Sequence, residues 1–208
     1  MNGILVKEHD DHDLLSFEQE PGTLMKLLAF AASNSTKSIN GQLISYAVSI
    51  LNDIDAEILD LNDFEMPLFS VDRELEWGIP ELAHRFYEKI GEADALLISH
   101  AEHNGAYTAA FKNLYDWTSR INSKVYQGKP LILLATSPGG RGASGVLAAA
   151  VKSAPYFGGD LKASLSIPGF YGNFDTKAGK VSNPEIQSKL ETTLTSLFEI
   201  RNPGQTPG

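Results

Sequence analysis

Eight consecutive residues, Ser33-Asn34-Ser35-Thr36-Lys37-Ser38-Ile39-Asn40, concentrate hydroxyl and amide side chains between an apolar run, Leu24 to Ala31, and a helical stretch, Gln42 to Leu51. A loop of this composition between a strand end and a helix start offers anion binding. Unpaired backbone N–H groups and the positive end of the helix dipole meet the negative charge, and the hydroxyls add donors. An ordinary N-cap on Ser35 or Ser38 fits the same residues. Two later segments also carry chemistry: Ala101-Glu102-His103-Asn104-Gly105-Ala106-Tyr107-Thr108 and Thr136-Ser137-Pro138-Gly139-Gly140-Arg141-Gly142. Small residues at Gly105, Ala106, Gly139, Gly140 and Gly142 leave the backbone open to close approach. Gly139 and Gly140 also suit a plain turn, His103 an exposed loop, and Arg141 either an anionic ligand or an ion pair with a partner subunit.

These segments need a frame, and the composition bounds it. The 208 residues, 42% of them hydrophobic, suffice for one substantial core and are few for two domains. With 26 acidic against 17 basic residues the net charge is -9, which argues against nucleic acid or an anionic membrane surface as partner. An anionic ligand must then be held by local N–H groups. Zero cysteines exclude disulfides, thiolate metal sites and a dithiol mechanism, so any redox chemistry has to come from a bound cofactor. No apolar run reaches the roughly 18 residues of a membrane span, and the expected setting is cytoplasmic, without membrane insertion. The first 23 residues, with His9 and His12 among acids, read as a mobile extension, and no metal site is expected there. Residues 202–208 are expected to fray, leaving a single domain over 24–201.

From Leu24 onward, short apolar runs alternate with amphipathic stretches, the pattern of βα units around a parallel sheet. Strands are predicted at Leu24 to Ala31, Glu57 to Leu61, Ala95 to Ser99, Pro130 to Ala135 and Asp160 to Ser166. Helices follow at Gln42 to Leu51, from Pro80 to Gly91, from Thr108 to Arg120, around Val146 to Val151, and from Pro184 to Ile200. The segment Asn62 to Gly78 shows no period and is expected to be a long loop over the ligand side, with apolar residues available to a partner subunit. Five such strands fit the doubly wound, flavodoxin-like order 2-1-3-4-5, a three-layer α/β/α arrangement. There the ligand lies beyond the carboxyl ends of the strands, at the switch point between strands 1 and 3. The loops after strands 1, 3 and 4 are the three that stand out by composition.

In combination these motifs resemble the NADPH-dependent FMN reductase family, whose members include quinone, azo-dye and chromate reductases. The family's first loop has the pattern G-S-x-R-x-x-S-x-N, matched by Ser33, Ser38 and Asn40, with Ala32 in place of the glycine and Ser35 in place of the arginine. Its P-E-Y-N loop is matched by Glu102 and Asn104, with Ala101 and His103 at the other two positions. The L-K-N-x-x-D-W helix start is met by Lys112, Asn113, Asp116 and Trp117, and the glycine-rich fourth loop by Gly139-Gly140-Arg141-Gly142.

The resemblance covers roughly Met25 to Ile167. It implies bound FMN, NADPH or NADH as co-substrate, a small-molecule acceptor such as a quinone, and a homodimer or homotetramer. It implies phosphate contacts from Ser33, Ser35, Ser38 and Asn40, and counts Ile39 among the cofactor-binding residues. Ring contacts would come from Ala101, Glu102, His103 and Asn104 on one side and from Ser137, Gly139 and Gly140 on the other, with Arg141 facing an anionic flavin or nucleotide phosphate or else pairing across a subunit boundary. The flavin would carry the chemistry, so no catalytic triad is expected. Rival readings are an azo or nitro reductase, a flavin reductase supplying reduced FMN, a flavodoxin-type single-electron carrier, and a flavin-free binding module.

Overall fold

A computed structural model describes residues 24–198 of the protein. The expected N-terminal extension and C-terminal tail lie outside the described residues. The chain runs β1 (Met25–Ala32), α1 (Ile39–Ser49), β2 (Ile54–Leu59), a 3-10 turn (Leu61–Phe64), α2 (Val71–Trp77), α3 (Glu81–Glu92) and β3 (Ala95–His100). A two-residue pair of strands, β4 (Glu102–His103) and β5 (Ala106–Tyr107), precedes α4 (Ala109–Ile121), β6 (Pro130–Thr136), α5 (Ser144–Ser153) and β7 (Asp160–Ile167). A short helix α6 (Phe170–Asn173), the strands β8 (Phe174–Asp175) and β9 (Lys180–Val181), and α7 (Pro184–Thr195) complete it.

The main sheet has the order β2-β1-β3-β6-β7, with every pairing parallel. Counting only its own strands, this is the predicted order 2-1-3-4-5. Its central strands β3 and β6 are buried almost throughout, as continuous apolar runs demand when helices cover both faces. The edge strands β2 and β7 alternate instead. One face packs α1 and α7 through Leu43, Ile44, Ala47, Leu190 and Leu194, and the other packs α3, α4 and α5 through Phe86, Ile90, Phe111, Trp117 and Val146. Each buried Leu or Ile of α1 contributes about 1.5–3 kcal/mol toward seating that helix on the sheet.

Two sequence expectations are corrected. β2 begins at Ile54 rather than Glu57, because an edge strand with one exposed face shows alternation and not a solid apolar run. The segment 62–78 is not a long loop. Ser70 caps α2 by accepting from the Arg73 N–H at 3.2 Å, and Gly78, with φ at 75°, ends it. Its front half is clamped to α4: Asn113 Oδ1 accepts from the Phe69 N–H at 2.8 Å, and Trp117 Nε1 donates to the Pro67 carbonyl at 2.7 Å. Asn113 and Trp117 therefore serve the scaffold. The small hairpins β4-β5 and β8-β9 were not expected.

Candidate functional site

The loop after β1 is organised from within before any ligand is considered. The Ser33 hydroxyl oxygen accepts from the Ser35 N–H at 3.2 Å, and the Ser38 N–H donates to the Ser35 carbonyl at 2.9 Å. Ser38 is the N-cap of α1, its oxygen accepting from the Gly41 N–H at 3.2 Å. Cap and cradle are compatible readings, since a serine hydroxyl that accepts still has its own O–H to donate. The amides of Thr36, Lys37, Ile39 and Asn40 donate to no carbonyl among the described residues, and α1 has no acidic side chain in its first turn. A helix start of this kind presents donors and positive potential with nothing to cancel them.

Asn40 is the exception among the predicted phosphate residues, because its side chain is spent on the scaffold. Its Oδ1 accepts from the Ser99 hydroxyl at 2.7 Å and from the Thr136 N–H at 3.1 Å, and its Nδ2 donates to the Thr136 carbonyl at 3.2 Å. Buried at 2% exposure, it fastens the start of α1 to the ends of β3 and β6. What it offers a ligand is its backbone N–H. Thr108 does similar work for β1, donating to the Ala32 carbonyl at 2.9 Å while capping α4 through the Phe111 N–H.

The loops after β1, β3 and β6 meet around a cavity of about 220 Å³. Of the predicted residues, Ser33, Ser35, Ser38, Ile39 and Asn40 line it from the first loop, Ala101, Glu102 and His103 from the second, and Ser137 from the third. Lys37, Thr136, Pro138 and Tyr171 join them, and none of these four was assigned from sequence. A larger cavity of about 680 Å³ adjoins the same first loop, extending over the ends of β1 and β2 toward Phe174, Thr176 and Gly179. Lys37 lines both cavities and, among the described residues, is the only lysine or arginine lining either.

Asn104, Gly139, Gly140 and Arg141 lie outside the walls of both cavities. Asn104 and Gly105, with φ of 53° and 78°, form the two-residue turn of the β4-β5 hairpin, pairing His103 with Ala106 and Glu102 with Tyr107. Asn-Gly is the strongest short hairpin signal because both central positions of a type I′ turn need positive φ. The sequence thus carried the marker for Asn104 in plain form. Gly139 and Gly140 are exposed, and a side chain added at either would meet nothing within 4 Å. Gly142 differs: with φ at 56°, an added Cβ would lie 2.5 Å from Ser166 Oγ and 2.7 Å from the Pro168 nitrogen. Its glycine is required by the neighbouring strand rather than by a ligand.

Directly before the second loop, His100 ends β3 fully buried, its ring 5.4 Å from Tyr107 and 5.2 Å from Phe111. Neither ring nitrogen has a hydrogen-bond partner among the described residues. Burial alone pushes its pKa down to about 3, so the ring is neutral and packs as an aromatic. It props the hairpin that carries Glu102 and His103.

An open parallel sheet in this order, with three strand-end loops meeting around a cavity at its switch point, defines a flavodoxin-like α/β protein. The family described as NADPH-dependent FMN reductase matches residues 25–162, and the chain belongs to it. It is 31% identical over 116 residues to an NAD(P)H-dependent FMN reductase of Pseudomonas aeruginosa, a match covering 55% of this chain and 61% of that one. It is 32% identical over 120 residues to a 2-hydroxy-1,4-benzoquinone reductase of a Burkholderia species, covering 57% and 63%. The chain thus spans about three fifths of the length of these curated relatives. Among solved structures, the flavoenzyme NAD(P)H:(acceptor) oxidoreductase FerB of Paracoccus denitrificans superimposes with a TM-score of 0.71 at 21% identity, covering 85% of this chain and 96% of that one.

Proposed function

We propose that the protein is an FMN-dependent NAD(P)H oxidoreductase that passes hydride from a nicotinamide to a small acceptor such as a quinone. The observation that carries this reading is the convergence of three strand-end loops on one cavity at a free helix start, in a chain of the FMN reductase family. The donor set suits a phosphate monoester: free amides at Ile39 and Asn40, hydroxyls at Ser33, Ser35 and Ser38, and one cation, Lys37. Bound there, FMN supplies the two-electron relay that no side chain of a cysteine-free protein provides.

The chain's own part is to bind, orient and exclude water. The amides and hydroxyls of the first loop would hold the phosphate and fix the cofactor's register. Ala101, Glu102 and His103 would line one side of the ring, and Ser137 with Pro138 the other. Asn104, Gly139, Gly140 and Arg141 take supporting places in the loops that present these walls. A homodimer or homotetramer belongs to the same proposal. Leu68, Val71, Leu75 and Trp77 are exposed on one short stretch, Leu75 at 81%, and form an apolar patch suited to a second copy. So does a cytoplasmic setting, where reduced nicotinamide nucleotides are at hand.

The test is the visible spectrum of the purified protein, alone and with added FMN, followed by anaerobic NADPH and then NADH. Flavin uptake with bleaching by either nucleotide is the expected result. Uptake without bleaching would point to a single-electron carrier, a role the net charge of -9 also suits. No uptake would refute both.

A further inference from the structure

The described residues expose three large aromatic side chains: Trp77, Tyr156 and Tyr171. Two of them have a cation over the ring, Arg73 at 5.8 Å from the Trp77 centroid and Lys124 at 5.7 Å from that of Tyr156. Tyr171 has none. It is 66% exposed and lines the smaller cavity beside Ala101, His103 and Pro138.

The backbone under this ring is held on both sides. The Gly169 N–H donates to the Gly139 carbonyl at 3.0 Å and the Phe170 N–H to the Ser137 carbonyl at 3.1 Å, tying the turn after β7 to the loop after β6. Phe170 is buried at 1% exposure and stacks on Phe174, with centroids 4.6 Å apart and planes at 19°. Beyond it, Asn173 Nδ2 donates to the Pro168 carbonyl at 2.8 Å, and Asn183 Nδ2 donates to Asn173 Oδ1 at 2.8 Å. The fold thus presents an exposed aromatic ring at the cavity wall from a fixed main chain. A ring held so gives up little freedom when something flat settles on it.

We propose that Tyr171 is the acceptor-side wall of this cavity, stacking on a planar quinoid acceptor and making it a specificity-determining residue. The proposal rests on the reading that the cavity holds FMN.

The experiment uses FMN-loaded protein and the variants Tyr171→Ala and Tyr171→Phe. FMN affinity is measured by flavin fluorescence. Binding of 1,4-naphthoquinone to the oxidised holoprotein, where no reduction can occur, is followed by perturbation of flavin absorbance. The expected result is a five- to tenfold weaker naphthoquinone Kd in Tyr171→Ala, about the worth of one aromatic stack, with Tyr171→Phe within about twofold of wild type. FMN affinity should stay within about twofold in both variants. Unchanged naphthoquinone binding in Tyr171→Ala overturns the proposal, and so does a parallel loss of FMN affinity, which would assign the ring to the cofactor. Wild-type protein that takes up no FMN fails differently, refuting the functional reading beneath it.

Discussion

Two strand-to-helix loops at the same edge of the sheet, Ser33 to Ser38 after β1 and Ser137 to Ala143 after β6, share a ligand-loop composition and are built for different ends. The first keeps the amides of Thr36 and Lys37 free, caps its helix with a hydroxyl and contributes walls to both cavities. The second enters α5 through two left-handed residues, Gly142 and Ala143, with no side-chain cap, and puts only Ser137 and Pro138 into the smaller cavity. Its Gly139 carbonyl accepts from the N–H groups of both Gly142 and Gly169, so the loop fastens the β7 turn. The small residues of the second loop therefore serve its packing on the β7 turn as well. What separates the two is where the neighbouring strand presses.

Substitutions can break that contrast. Gly142→Ala should have the largest effect, a loss of about 3 kcal/mol in urea unfolding, since it adds both a clash with Ser166 and Pro168 and a left-handed strain. Asn40→Ala should follow at about 2 kcal/mol, because it strands the buried Thr136 amide and Ser99 hydroxyl. Ser38→Asp sharpens the comparison most. Aspartate caps as well as serine, so stability should move by no more than about 0.5 kcal/mol, while a carboxylate against the phosphate should weaken FMN binding at least about tenfold in a fluorescence titration. Unchanged affinity there would show that the first loop is a cap alone. Gly139→Ala should do least, within about 0.5 kcal/mol in stability and with FMN affinity intact, as its new methyl meets nothing.

Most of the sheet was legible because β1, β3 and β6 are buried on both faces and leave solid apolar runs that need no context to read. The first loop was legible for the same reason, bracketed as it is by β1 and an amphipathic helix. Less legible was anything decided by a partner distant in sequence. The role of Asn40 depends on Ser99 and Thr136, 59 and 96 residues away. Tyr171 reaches the cavity only because the β7 turn is bonded to the loop after β6, and no spacing in the chain announces that. Asn104 differs: its place at the hairpin turn is marked locally, by the Asn-Gly pair itself.

His100 carries a consequence for how the protein meets acid. Unfolded, its imidazole takes up a proton below its ordinary value near 6.5; folded, it stays neutral until about 3. Above 6.5 the two states agree and the residue is silent. Between those values the unfolded chain alone gains the proton, and the native state loses about 1.4 kcal/mol of its margin for each unit of falling pH. The ring that props the Glu102–His103 hairpin under neutral conditions thus becomes, on acidification, a reason for the chain to let that hairpin go.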